Sequence, residues 1–165
     1  MSVTMKGNPV TLAGNSVETG QEAPNSTLLA NDLSEVQLSS FKGKKVLISV
    51  VPSLDTGVCD IQTKRFNQEA TSLGEDVVIL TISVDLPFAQ KRWCGATGSD
   101  KIQTLSDHRD LNFGENYGLV IKELRLLARA VLVVDADGII QYKEIVPEVT
   151  TEPNYQAALD ALKKL

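Results

Sequence analysis

Cys59 closes the segment PSLDTGVC (Pro52–Cys59), which leaves the apolar run KVLISVV (Lys45–Val51). A cysteine that only filled core would sit more comfortably inside such a strand than at the end of a Pro-Thr-Gly loop. Thr56 is a good helix N-cap, which makes Cys59 the third residue of the helix that follows. In that first turn the unpaired backbone N–H groups and the helix dipole favour an anion, so the sulfur is set to react as a thiolate. Oγ1 of Thr56, three residues back, can curl onto the sulfur or onto an oxygen bound beside it. Pro52 fixes the strand exit and offers an apolar wall with no N–H in need of a partner. The alternative reading of Cys59 is a small buried hydrophobe, and its helix-start setting favours reactivity.

Ionisation alone does not make the chemistry fast. A free cysteine is only slightly ionised near neutral pH, so full ionisation gains about 30-fold, or ~2 kcal/mol of barrier. A cationic hydrogen-bond fork is the natural addition when the leaving group is an oxyanion. The nearest candidate is Arg129, in LLARAVLVVD, at the entrance to an apolar strand where an unpaired charge is poorly placed. Its ordinary alternative is a salt-bridged surface arginine. Cys94, in RWCGATG, falls near a helix C-terminus, where the dipole disfavours a thiolate, so it reads as a partner thiol or as core filler. Trp93 beside it reads as packing.

Other chemistries lack their residues. His108 is the sole histidine, and SDHRDL reads as a loop or helix cap, so the Cys–His pair of a cysteine hydrolase is not supported. Two cysteines and one histidine have no zinc-ligand spacing. There is no C-x-x-C, no GxGxxG and no GxxxxGK[ST], and no carboxylate pair stands out.

The chain has 165 residues, 42% hydrophobic and 22% charged, which suits one soluble globular domain spanning residues 1–165. A net charge of −5 argues against a general nucleic-acid binder, and KGKK (Lys42–Lys45) reads as a solvated turn. MSVTMKGNPV has no apolar leader core, and no run is long enough for a membrane span. A cytoplasmic location is therefore expected, where any disulfide between the two cysteines is transient and functional.

The elements that must position these residues follow from periodicity. Val3 and Met5 against Val10 and Leu12, around Gly7-Asn8-Pro9, predict an N-terminal β-hairpin. A short strand follows around Thr27–Ala30. Val46–Val51 is apolar on both faces, as in a central strand covered by helices on both sides. Val58–Leu73 is predicted helical, with Val58, Ile61, Phe66, Ala70 and Leu73 inward and Gly74 as its stop. Asp76–Val84 is a second buried strand. Pro87 opens a helix through Cys94, closed by Gly95 and Gly98. Ile102–Leu105 reads as a strand and Asp110–Tyr117 as a helix ending at Gly118. Ala130–Val134 and Ile139–Ile145 flank the tight turn Asp135-Ala136-Asp137-Gly138, and Pro153–Leu165 is a last amphipathic helix. The order βαβα, then a hairpin and a closing helix, predicts an α/β thioredoxin-like fold: a mixed central sheet, helices on both faces, and an N-terminal β-hairpin.

PSLDTGVC also fits P-x-x-x-T-x-x-C, the signature of peroxiredoxins. SVDLPFAQKRWCGATG resembles the resolving-cysteine segment of the bacterial thiol peroxidase subfamily, the atypical two-Cys peroxiredoxins. The resemblance extends through GNPVTLAGN, LLARAVLVVDADG and TTEPNYQAALDAL, and so covers nearly the whole chain. It implies that Cys59 is the peroxidatic cysteine and Cys94 the resolving one. Pro52 and Thr56 would shield the sulfur and orient the peroxide, and Arg129 would hold the thiolate and the peroxide oxygen. IKELRLL (Ile121–Leu127) departs from many relatives, which often carry glycine there, and places Arg125 one helical turn before Arg129.

The implied reaction is reduction of hydrogen peroxide and alkyl hydroperoxides through a Cys59 sulfenic acid. Cys94 of the same chain would then close a disulfide that thioredoxin reopens. A homodimer is implied; a metal, haem or flavin is not. Two other classes stand beside it, a redox sensor that oxidises once and a thiol-disulfide oxidoreductase, the latter without its C-x-x-C.

Overall fold

The computed structural model describes residues 2–70, 72–97 and 102–165. Alternation of apolar residues builds the framework. Strands β1 (Val3–Met5) and β2 (Asn8–Val10) pair antiparallel, with Val3 opposite Val10 and Met5 opposite Asn8. The turn is at Lys6 and Gly7, with φ of 52° and 80°, so Asn8 and Pro9 belong to a strand rather than to the predicted turn. Leu12 leaves that hairpin for β3 (Leu12–Ala13).

The main sheet holds β4 (Thr27–Leu29), β5 (Glu35–Gln37), β6 (Lys45–Val50), β7 (Val77–Ser83) and β8 (Gln103–Ser106). Its remaining strands are β11 (Ala130–Val134) and β12 (Ile140–Ile145), after the short β9 (Val120–Ile121) and β10 (Leu126–Leu127). The order across seven strands is β12-β11-β6-β7-β8-β4-β5. β6, β7 and β8 run parallel, while β11 and β4 join their two flanks antiparallel. This is the mixed sheet that the βαβα order predicts. A second small sheet, β10-β9-β3, was not legible in the sequence.

Because side chains alternate along a strand, β6 feeds two layers. Val46, Ile48 and Val50 enter a core with Val3, Val17, Phe113, Tyr117 and Ile121. Leu47 faces the other side with Phe66, Val131, Val133, Leu159 and Leu162. Helices α1 (Gly57–Ala70) and α4 (Tyr155–Lys163) contribute to this second layer, and Phe66 meets Tyr155 edge-to-face at 5.3 Å. α4 starts later than expected because Asn154 caps it, accepting from Ala157 N–H at 3.0 Å.

The inward face of α1 differs from the expected stripe. Cys59, Gln62, Thr63 and Phe66 are buried, whereas Ile61 is 52% exposed. Two polar side chains thus hold positions that an apolar pattern assigns to Ile61. Helix α2 (Pro87–Thr97) runs past Gly95, which is inside it rather than its stop; Gly98 lies outside the described residues. Helix α3 (Asn112–Tyr117) is shorter than expected, and Gly118 ends it at φ 69°. Asp107 accepts from the N–H groups of Phe113 and Gly114 at 3.0 and 2.8 Å. Burial pushes its carboxyl up to about 6, against the pull of those two N–H groups.

The amino-terminal hairpin is bound to the segment that precedes α4. Thr4 N–H donates to Pro147 O and Val149 N–H to Thr4 O, both at 2.8 Å. Glu148 accepts from Thr4 Oγ1 and Gly7 N–H at 2.8 Å and from Lys6 N–H at 3.2 Å. Bonds from the Thr150 hydroxyl and N–H, with those from Gly7 and Thr4, hold the Glu148 carboxyl well below the usual carboxylate range. Among the described residues, no helix is long and apolar enough to cross a membrane.

Candidate active site

β6 ends at Val50, and Val51 N–H still pairs with Ile82 O at 3.0 Å before the chain turns at the buried Pro52. Asp85, just past the end of β7, then grips the loop. Its carboxylate accepts from Ser53 Oγ at 2.7 Å, Leu54 N–H at 2.8 Å and Ser83 Oγ at 2.7 Å. Asp85 is marked in the sequence only as an acidic residue in SVDLP, between a strand end and a helix-opening proline.

Thr56 caps α1 as expected. Its carbonyl accepts from Asp60 N–H at 3.0 Å and its Oγ1 from Cys59 N–H at 3.4 Å. The Thr56 hydroxyl donates to Ser53 O at 3.1 Å, so here it closes the loop rather than turning to the sulfur. Cys59 is fully buried, against Val51, Leu54 and Trp93. A cleft of about 240 Å³ adjoins this wall, lined by Leu54, Asp55, Asp85, Ala89, Arg92 and Trp93.

Arg129 is 2% exposed, the largest of the fully buried side chains. Its Nε donates to Val149 O at 2.7 Å and its Nη1 to Gln62 Oε1 at 2.9 Å. Gln62 Nε2 in turn donates to Ser49 Oγ at 2.8 Å. Gln62 is one turn beyond Cys59 on the same buried face of α1. The surface-arginine reading is therefore excluded: among the described residues Arg129 has no carboxylate partner, and its acceptors, Val149 O and Gln62 Oε1, are neutral. The Tyr155 phenol is held above its ordinary range by burial and by its bond to Glu152, with the Arg129 charge pulling the other way.

Arg125 is elsewhere. Residues Ile121–Leu127 form the β9–β10 hairpin, not a helix, and Arg125 occupies its turn at φ 52°. That left-handed backbone is the reason glycine suits the position. The Arg125 side chain donates to His108 O at 3.2 Å on the exposed surface, and His108 is not drawn into the site.

Trp93 and Cys94 diverge from the last turns of α2. Trp93 Nε1 donates to Asp60 Oδ1 on α1 at 2.9 Å. Cys94 Sγ lies 3.6 Å from Thr104 Oγ1 on β8. Both cysteines are free thiols. The structure thus places Thr56 and Cys59 at the start of α1, after the buried Pro52, links Arg129 to that helix through Gln62, and turns Cys94 toward β8.

The chain is similar to known proteins over nearly its whole length. The Redoxin family pattern matches residues 18–159. A thiol peroxidase of Bacillus subtilis (strain 168) is 58% identical over 163 residues, covering 99% of this chain and 97% of that protein. A thiol peroxidase of Halalkalibacterium halodurans is 60% identical over 162 residues, covering 98% of this chain and 97% of that protein. Among solved structures, a peroxiredoxin-like protein from Aquifex aeolicus superposes with a TM-score of 0.92 at 39% identity, covering 99% of this chain and 96% of that one.

Proposed function

The chain belongs to the Redoxin family and, within it, to the thiol peroxidases, and from that premise we propose how its residues carry the reaction. Cys59 attacks one peroxide oxygen as a thiolate. The S–O bond forms as the O–O bond breaks, and the departing alkoxide or hydroxide takes up a proton to leave as alcohol or water. The Cys59 sulfenic acid then condenses with the Cys94 thiol of the same chain, forming the S–S bond and releasing water. Thioredoxin reopens the disulfide by thiol–disulfide exchange.

The observation that carries this reading is the setting of Arg129. A buried guanidinium bonded, among the described residues, to neutral oxygens is costly unless an anion is at hand. The Cys59 thiolate, one turn from Gln62 and at a helix N-terminus, is the anion that suits it. The same cation then stabilises charge that grows on the peroxide oxygens during attack. Thr56 and Pro52 frame the approach of the peroxide. Apolar walls at Val51, Leu54 and Trp93 and the adjoining cleft give room for alkyl hydroperoxides as well as hydrogen peroxide.

We read residues 1–165 as one domain that acts in the cytoplasm, where thiols are kept reduced. A homodimer is the assembly we propose. Ile61, Leu86 and Phe88, at the starts of α1 and α2, are 52%, 52% and 65% exposed and give it apolar surface to bury.

The test is one equivalent of hydrogen peroxide, then peptide mapping without reductant, followed by turnover with thioredoxin, its reductase and NADPH. A Cys59–Cys94 crosslink within one chain, with sustained turnover, is expected. A crosslink between chains overturns the resolving step, and a single turnover with no recycling makes the protein a sensor.

A further inference from the structure

We infer that Thr104, oriented by Asn31, is a positioning residue that holds the Cys94 thiol on the sheet side of α2 until Cys59 has been oxidised. The purpose of that hold rests on the peroxidase reading above; its geometry does not. Thr104 is 2% exposed in β8, opposite Thr81 of β7 in the parallel register. Its hydroxyl donates to Asn31 Oδ1 at 2.9 Å. A hydroxyl carries one proton, and here that proton is committed to Asn31. What Thr104 turns to the sulfur 3.6 Å away is a lone pair, which makes the Cys94 S–H the donor.

Asn31 is outside both helices, in the turn between β4 and β5, where Ala30 N–H bonds Ser34 O and Leu33 N–H bonds Ala30 O, each at 2.9 Å. The Cys94 thiol is thereby tied to the sheet, while Trp93 beside it is tied to Asp60 on α1. A thiol is a weak donor, so this tie is strong enough to select one orientation and weak enough to release without a catalyst. Release frees Cys94 to move toward Cys59. The S–H proton then departs with the Cys59 hydroxyl as water, so Thr104 takes no part in the bond-making step.

The hold is read directly in the Cys59→Ser protein, where Cys94 is the single thiol. Its Raman S–H stretching band should move to higher frequency in Thr104→Val, a nearly isosteric change suited to a strand. Thr104→Ser, which keeps the hydroxyl, should restore the band. Alkylation of Cys94 by iodoacetamide should rise several-fold in the valine variant and return with serine. With Cys59 present, disulfide closure after one equivalent of peroxide should also be several-fold faster in Thr104→Val, at an unchanged rate of sulfenic acid formation.

Should the valine variant fail to fold, Asn31→Ala carries the test from the turn. It frees the Thr104 proton to face the sulfur, ends S–H donation, and should raise the band in the same way. Unchanged band position and unchanged alkylation in these variants overturn the inference. If both change as expected while the wild-type protein forms no Cys59–Cys94 disulfide, the hold on Cys94 stands and the peroxidase reading fails.

Discussion

Arg129 Nη1 meets Gln62 Oε1 at 2.9 Å, and that one bond attaches a buried cation to the helix that carries Cys59. Lysine retains the charge but not the planar fork that reaches Gln62 and Val149 together. Arg129→Lys is therefore expected to slow Cys59 oxidation by roughly tenfold or more, measured by stopped-flow under single turnover. It should also cost about 1–3 kcal/mol of stability, because buried acceptors lose their donor. Arg125→Lys, at an exposed hairpin turn, should leave the rate unchanged. A larger effect at Arg125 moves the role to that residue.

The two thiols should separate cleanly. Cys59→Ser is nearly isosteric and should keep the fold while ending peroxide consumption. Cys94→Ser should react once and stop at the Cys59 sulfenic acid, with excess peroxide driving it on to the sulfinic acid. Intact-mass analysis should find added oxygen on that variant and a loss of two hydrogens in the wild type. The opposite pattern reverses the roles.

A disulfide requires Cα atoms within about 7 Å. Cys59 is sealed in the first turn of α1, and Cys94 is turned toward β8. Closing the bond is therefore expected to unwind the first turn of α1, the end of α2, or both, since helix ends have low local stability. Trp93 touches the Cys59 pocket and adjoins Cys94, so its fluorescence should differ between the reduced and disulfide forms. Cys94→Ser should lose most of that difference. Crystal structures of the two forms that superpose at both helix ends refute the idea.

Asp107 gives a pH signature. Burial raises its carboxyl from 3.8 to about 6, so the folded chain holds that proton more tightly than the unfolded chain does. Its contribution to stability is fully present below pH 3.8 and is lost as pH rises through about 6. The loss is on the order of 3 kcal/mol. Urea titrations from pH 3.5 to 7.5 should find this component in the wild type and not in Asp107→Asn, read as the difference between the two curves.

Strands with largely apolar runs were legible because burial on both faces leaves no ambiguity of period, as at Lys45–Val50 and Val77–Ser83. The place of Cys59 was legible too, since Thr56 marks the helix start on its own. What misled was function written over pattern. Gln62 and Thr63 occupy the inward face of α1, one bonding Arg129 and the other Cys59 O, so the apolar pattern places Ile61 inward whereas it faces outward. The β9–β10 hairpin was missed because its turn places Arg125 at a positive φ, and nothing in an arginine advertises that. Asp85 and the carbonyl of Val149 act through the backbone of distant segments, which spacing along the chain cannot reveal.

The bracket between Thr4 and the 147–150 segment reaches further than its position suggests. Val149 N–H donates to Thr4 O and its carbonyl accepts from Arg129, so one residue joins the amino-terminal hairpin to the guanidinium. Strand β1 is in that sense a remote strut of the Arg129 side chain. A substitution that displaced β1 would load the strut, and the arginine would lose its footing while every residue around Cys59 remained intact.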